Sequence, residues 1–215
     1  MADSTETDRT VVLASRNEAK LRELARILTQ ASPQVRLAGL DAFPGAPDVP
    51  ETGATFEENA LLKAHAIAEH TQLPAVADDS GLCVDALNGM PGVLSARWAG
   101  GHGDDQANLK LVLGQVGDMP ADRLGARFVC AAALVVPGRV PAEPTREWVV
   151  IGQVEGRLTR TPRGTGGFGY DPIFVPDGFD LTTAEMTAQA KDAISHRGRA
   201  FRALTPLITE ALGTG

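Results

Sequence analysis

The chain has 215 residues, 43% of them apolar and 22% charged, with a formal net charge of −7. This is enough chain for one sizeable core, the composition is that of a soluble globular protein, and no apolar run approaches the ~20 residues of a membrane span. The negative balance excludes polymeric nucleic acid as the main partner, although a local cluster of Lys, Arg and metal can still take a small polyanion.

Residues 1–9 read as a disordered polar tail, neither signal nor transit peptide, and residues 10–215 as a single domain with two lobes. Thr10 to Ala14 is a buried strand, broken by Ser15-Arg16-Asn17. Leu21, Leu24, Ile27 and Leu28 then recur at helical spacing from Glu18 to Gln30. Residues 33–40 form a second strand, and Phe43 to Gly53 is a Pro- and Gly-rich loop. Thr55-x-x-Glu58 is a capping box opening a helix with Ala60, Leu61, Ala64, Ile67 and Ala68 on its buried stripe. Val76 and Leu82 to Val84 are short strand pieces around an acidic turn, and Leu109 to Val116 is a short helix. Ala126–Val136 and Arg146–Val154 are neighbouring strands joined by the Pro-rich Pro137–Pro144 turn. A helix covers Thr183 to Ala193, and a last one begins near Ser195, with Pro206 kinking it or restarting it at a Thr205 cap. Strand–helix alternation followed by a hairpin gives an α/β class: a mixed twisted sheet flanked by helices, with a β-hairpin lobe forming a cleft. Cys83 and Cys130 fit no metal spacing and read as buried thiols of a reducing cytoplasm.

The chemistry concentrates in a few segments. Ala77-Asp78-Asp79-Ser80-Gly81 sets two carboxylates side by side, which calls for a hard divalent cation or a shared proton, or else is an Asx-rich turn. Ser15-Arg16-Asn17-Glu18-Ala19-Lys20 puts backbone N–H groups and a lysine at a helix start, a geometry for phosphate; Ser15 or Asn17 could equally be plain caps. Gly164, Gly166 and Gly169 spell G-x-G-x-x-G, but Pro172 and the strand-like Ile173-Phe174-Val175 follow, so this is no dinucleotide fold. Phe168 or Tyr170 is available there to stack on a flat ring, or to fill core. Lys191 with Ser195-His196-Arg197 places cations at a helix start, where an anionic or carbonyl-bearing ligand suits them better than the helix dipole does. Asn59 and Lys63 are four apart and share a face of the Thr55 helix.

In order, the chain holds Ser-Arg-Asn-x-x-Lys, Glu-Thr-Gly-x-Thr-Phe-x-Glu-Asn-Ala, Ala-Asp-Asp-Ser-Gly-Leu, Pro-Gly-x-x-Ser-Ala-Arg, Gly-Thr-Gly-Gly-Phe-Gly-Tyr-Asp-Pro and Ile-Ser-His-Arg-Gly. Together these resemble the inosine/xanthosine triphosphate pyrophosphatases, and the resemblance runs from Val11 to about Leu212. It implies a Mg²⁺-dependent, homodimeric, cytoplasmic enzyme that cleanses the nucleotide pool. Inosine, deoxyinosine and xanthosine triphosphates would go to the monophosphate and pyrophosphate. By motif position it implies that Ser15, Arg16, Asn17, Glu18, Ala19 and Lys20 hold phosphates. Glu51 and Asp79 would serve the metal, with Asp79 also accepting the proton of water. Ser80, Phe168, Gly169, Tyr170, Asp171, Lys191, His196 and Arg197 would bind substrate, with Asp78 and Lys63 behind them. Arg16 departs from the pattern, since many members carry Gly there. Arg197 can only donate, which suits the O6 acceptor of hypoxanthine or xanthine and opposes the amino group of adenine. The competing readings are a Maf-like pyrophosphatase, a nucleotide sensor that does not cleave, and a simple phosphatase. The released product, pyrophosphate or orthophosphate, separates them.

Overall fold

A computed structural model describes residues 9–138 and 143–213. The tail at 1–8 and the centre of the Pro-rich turn, 139–142, lie outside the described residues. Six strands form one sheet in the order β2-β1-β3-β4-β5-β6: β1 Thr10–Leu13, β2 Arg36–Gly39, β3 Ala75–Val84, β4 Gly125–Val136, β5 Arg146–Leu158 and β6 Phe174–Pro176. β1 runs parallel to β2 and β3, and β5 is antiparallel to β6, so the sheet is mixed. The Leu158 N–H donates to the Leu124 carbonyl at 2.8 Å, which sets the end of β5 beside the start of β4, as a hairpin requires.

Five helices are present among the described residues: α1 Glu18–Ala31, α2 Phe56–Thr71, α3 Asp105–Gln115, α4 Ala188–Ile194 and α5 His196–Ala211. None is long and apolar enough to cross a membrane. α1 starts where Asn17 Oδ1 accepts the Lys20 N–H, and it buries Leu24, Ile27 and Leu28. α2 starts at the Thr55 cap, buries Ala60, Ala64, Ile67 and Ala68, and stops where Gln72 takes a left-handed conformation two residues before Pro74.

The described residues fall into two compact units. The first lies within Met1–Asp79, Ala131–Ile151 and Arg197–Gly215, the second within Ser80–Cys130 and Gly152–His196. Each has its own apolar core. The first packs Val12, Ile67, Ala75, Ala133 and Val135 together with small residues of α2. The second packs Leu82, Val112, Leu124, Phe128 and Phe174.

Several elements differ from the sequence expectation, each for a local reason. The acidic pair does not sit in a turn: β3 is one continuous strand of 10 residues, and Asp78 and Asp79 lie inside it. Cations from other elements meet the two carboxylates there, which makes their burial inside the strand tolerable. The helix expected from Thr183 is confined to α4. The backbone at 183–184 is used instead in long-range bonds, Thr183 N–H to the Phe174 carbonyl and Ala184 N–H to the Asp171 carbonyl, and Thr187 caps the shorter helix. α3 begins four residues before Leu109, since Asp104 Oδ1 accepts the Ala107 N–H. α5 passes through Pro206 without restarting. Thr205 is interior, and its hydroxyl donates to the Phe201 carbonyl one turn back rather than capping anything. Residues 33–35 stay outside β2, and Asp171–Ile173 forms a 3₁₀ turn ahead of β6. Cys83 and Cys130 are buried thiols, as expected.

Candidate active site

In the first unit, strand geometry brings the chemistry together. The parallel ladder pairs Leu13 with Val76. Two residues further along, β1 has given way to the Ser15 turn and β3 has reached Asp78, so the start of α1 and the acidic pair come level. Successive residues of a strand face opposite ways. Asp78 therefore meets α1 and α5: its Oδ2 lies 3.1 Å from Lys20 Nζ and 3.3 Å from Arg197 Nε. Asp79 meets α2: Asn59 Nδ2 donates to its Oδ2 at 2.9 Å, and Lys63 Nζ stands 3.8 Å from Oδ1. The same ammonium is 2.6 Å from Glu51 Oε1.

The two carboxylates titrate in opposite directions. Burial works against ionised Asp78, but Lys20, Arg197 and Lys63 outweigh it and hold this carboxyl well below the usual range. Burial pushes the Asp79 carboxyl up; Lys63 offsets this only in part, and Glu51 adds to it. Lys63 is opposed by burial, yet Asp79, Asp78 and Glu51 together raise its affinity for the proton. One acid is thus a fixed anion and its neighbour a stronger base. Divergence of this kind separates roles in acid–base sites.

The remaining residues of the α1 turn are less buried. Asn17 caps α1, and Ser15 Oγ accepts the Asn17 N–H at 3.2 Å. Glu18 is exposed and pairs with Arg22, and Ala19 is half-buried. Arg16 turns away from the helix start: Nη2 donates to the Ala46 carbonyl at 2.7 Å, and Nε lies 3.9 Å from Asp48. Arg197 is almost wholly enclosed, with Nη1 donating to Glu23 Oε2 at 2.8 Å and Nε to Asp78. These nitrogens face carboxylates, whereas the sequence reading turned them toward a base.

In the second unit, Asp171 organises the glycine-rich loop. Its Oδ2 accepts the Phe168 N–H at 2.8 Å and lies 2.6 Å from Lys191 Nζ, while its Oδ1 accepts the Thr183 hydroxyl at 2.8 Å. Gly167 has φ +72°, and a Cβ there would lie 2.0 Å from Asp171 Oδ2, so the loop closes only on glycine. Lys191 Nζ sits 5.2 Å from the centroid of the Phe168 ring. Phe168 is half-buried, whereas Tyr170 is buried with its hydroxyl donating to the Ser95 carbonyl at 2.9 Å. Phe168 is therefore the less buried ring of this loop, with the Lys191 ammonium over it. The Gly169 N–H donates to Asp105 Oδ2 at 2.8 Å. His196 lies parallel on Phe128, with centroids 4.8 Å apart, and Ser80 is half-buried.

Glu23, Asp105 and Thr183 carry no motif in the sequence, and Asn59 is legible there only as sharing a helix face with Lys63. Glu23 had one usable signal: it follows Lys20 by three residues, on the same face of α1. The long-range contacts of the other three leave no trace in local spacing.

These features define an α/β protein with a buried carboxylate–ammonium centre. The family model described as "Ham1 family" matches residues 11–207, and the chain belongs to that family. A dITP/XTP pyrophosphatase of Streptomyces coelicolor is 60% identical over 203 residues, 94% of this chain and 98% of that protein. Among solved structures, a nucleoside-triphosphatase / dITP/XTP pyrophosphatase of Mycobacterium abscessus matches with TM-score 0.71 at 55% identity, covering 92% of this chain and 99% of that one. A HAM1 protein of Coxiella burnetii matches with TM-score 0.80 at 41% identity, covering 94% and 98%.

Proposed function

We propose that this protein is a nucleoside triphosphate pyrophosphatase that converts the triphosphates of inosine, deoxyinosine and xanthosine to monophosphate and pyrophosphate, clearing them from the nucleotide pool. The enzyme class follows from family membership and from relatives that bear that name. The observation that carries the reading is that two adjacent carboxylates of one strand meet different partners, Asp78 the Lys20 ammonium and Arg197, Asp79 the Asn59 amide and Lys63. Asp79 takes the proton of the attacking water. Asp78 stays ionised and holds Lys20 beside the helix start, where the phosphates bind. Lys20 and Lys63 oppose the charge that builds on the departing pyrophosphate. In the second unit, the Asp171–Lys191 pair holds the Phe168 loop.

A divalent cation fits the residues present. Glu51 and Asp79 offer hard carboxylate oxygens to one point, where the Lys63 ammonium now stands between them. Four carboxylates, Glu23, Glu51, Asp78 and Asp79, surround three cations, Lys20, Lys63 and Arg197. Among the described residues no three acidic, His or Cys side chains form a cage. That suits Mg²⁺, which uses one or two carboxylates and fills its remaining positions with water and phosphate oxygens. Bound by Glu51 and Asp79, it would polarise the phosphoryl group and make bound water more acidic. The same reading makes the protein a cytoplasmic homodimer, and sedimentation checks the dimer.

The test is a panel of nucleoside triphosphates with and without Mg²⁺, scored for product. The proposal expects pyrophosphate from inosine and xanthosine triphosphates, only with the metal, and much less from ATP. Orthophosphate as the first product would favour a simple phosphatase.

A further inference from the structure

The segment Glu51-Thr52-Gly53-Ala54-Thr55 delivers an acidic loop straight into a capped helix. Asn59 stands one turn into that helix with 0% exposure, and both ends of its amide are used. Its Oδ1 accepts the Gly53 N–H at 2.7 Å, and its Nδ2 donates to Asp79 Oδ2 at 2.9 Å. The loop has been brought so close that a Cβ on Gly53 would lie 2.8 Å from Asn59 Oδ1 and 2.6 Å from Glu58 Cβ. Glu58 pins the loop a second time, its Oε2 accepting the Ala54 N–H at 2.6 Å. One turn further on, Lys63 reaches Glu51 and Asp79. Asn59 and Lys63, on one face of α2, therefore grip the same two segments, Asn59 at Asp79 Oδ2 and Lys63 at Oδ1.

A primary amide suits this place. It carries a donor and an acceptor at fixed opposite ends. A carboxylate would set acceptor against acceptor at Asp79, and a hydroxyl is too short to span both partners. We infer that Asn59 is a positioning residue: it locks the Glu51 loop to β3 and fixes the Asp79 carboxylate through Oδ2, which leaves Oδ1 turned toward Lys63. The inference rests on the reading of Asp79 as proton acceptor. A small misplacement of a reacting group is costly, on the order of 10²-fold in rate for 1 Å.

The experiment measures kcat and KM for deoxyinosine triphosphate in Asn59→Ala and Asn59→Asp, with Asp79→Asn alongside. Asn59→Ala is expected to lower kcat by roughly 10- to 100-fold and to leave KM within about threefold, because Asn59 acts through Asp79 and not on the substrate. Asn59→Asp, which keeps the acceptor for Gly53 and loses the donor to Asp79, should fall at least as far. Unchanged kcat in Asn59→Ala, or a raised KM alone, overturns the inference. If Asp79→Asn is inactive while Asn59→Ala is unimpaired, this inference fails and the reading of Asp79 stands; if Asp79→Asn turns over normally, both fall. Should Asn59→Ala not fold, thermal midpoints decide. The swap Asn59→Asp with Asp79→Asn returns a donor–acceptor pair and is expected to recover the midpoint lost in Asn59→Asp. No recovery overturns the direct pairing.

Discussion

Replacing Arg197 by alanine would leave Glu23 and Asp78, at 3% and 2% exposure, as buried carboxylates deprived of a guanidinium. Removing one partner of a buried ion pair typically costs ~3–5 kcal/mol, because the other charge stays desolvated. Arg197→Ala should therefore lose roughly that much stability in a denaturant titration. Arg197→Lys should recover only part, since a single ammonium cannot serve two carboxylates as a fork does. A loss below about 1 kcal/mol would mean that the network rearranges around the gap. Tyr170 gives an independent check on the second unit, as the chain's one tyrosine. Burial, with Asp105 adding to it, pushes its phenol well above the ordinary value near 10. The native state then holds the proton more tightly than the unfolded chain does. The stability this contributes is complete below about pH 10 and is lost as pH rises beyond it. Tyrosinate absorbance should accordingly appear only together with alkaline unfolding. A separate, earlier titration in the folded protein would contradict the buried hydroxyl bond to Ser95.

Caps decide where several elements begin. Asp104 starts α3 ahead of its first apolar residues, and Asp104→Ala should cost ~1 kcal/mol in thermal or chemical unfolding, as cap removals do. An effect near zero would show that packing of Val112 alone sets that helix. The same chemistry explains what was legible beforehand. α1 and α2 could be read from the sequence because their caps, Asn17 and Thr55, and their apolar stripes are local signals. The family was legible through the order of its motifs along the chain. β3 was misread as broken, because the compensation for Asp78 and Asp79 comes from Lys20, Lys63 and Arg197, residues far away in sequence. α4 was read too long, since helical spacing cannot reveal that Thr183 and Ala184 are tied to Phe174 and Asp171. Asn59 escaped for the same reason: its partners lie on a loop and on a strand.

At the scale of the whole molecule, the net charge of −7 extends to the centre itself, where Glu23, Glu51, Asp78 and Asp79 outnumber Lys20, Lys63 and Arg197, so a polyanionic substrate calls for a further cation there. Each compact unit keeps its own core, so substitutions at the charged centre can be judged against folding by the thermal midpoint. The most direct measurement is pyrophosphate release from deoxyinosine triphosphate, with Mg²⁺, by the unaltered protein and by Asp79→Asn. Pyrophosphate is expected as the product of the unaltered protein, with a loss of at least ~10²-fold in kcat for Asp79→Asn and the thermal midpoint retained. Turnover by Asp79→Asn at the unaltered rate, or no pyrophosphate from either protein, would contradict that expectation.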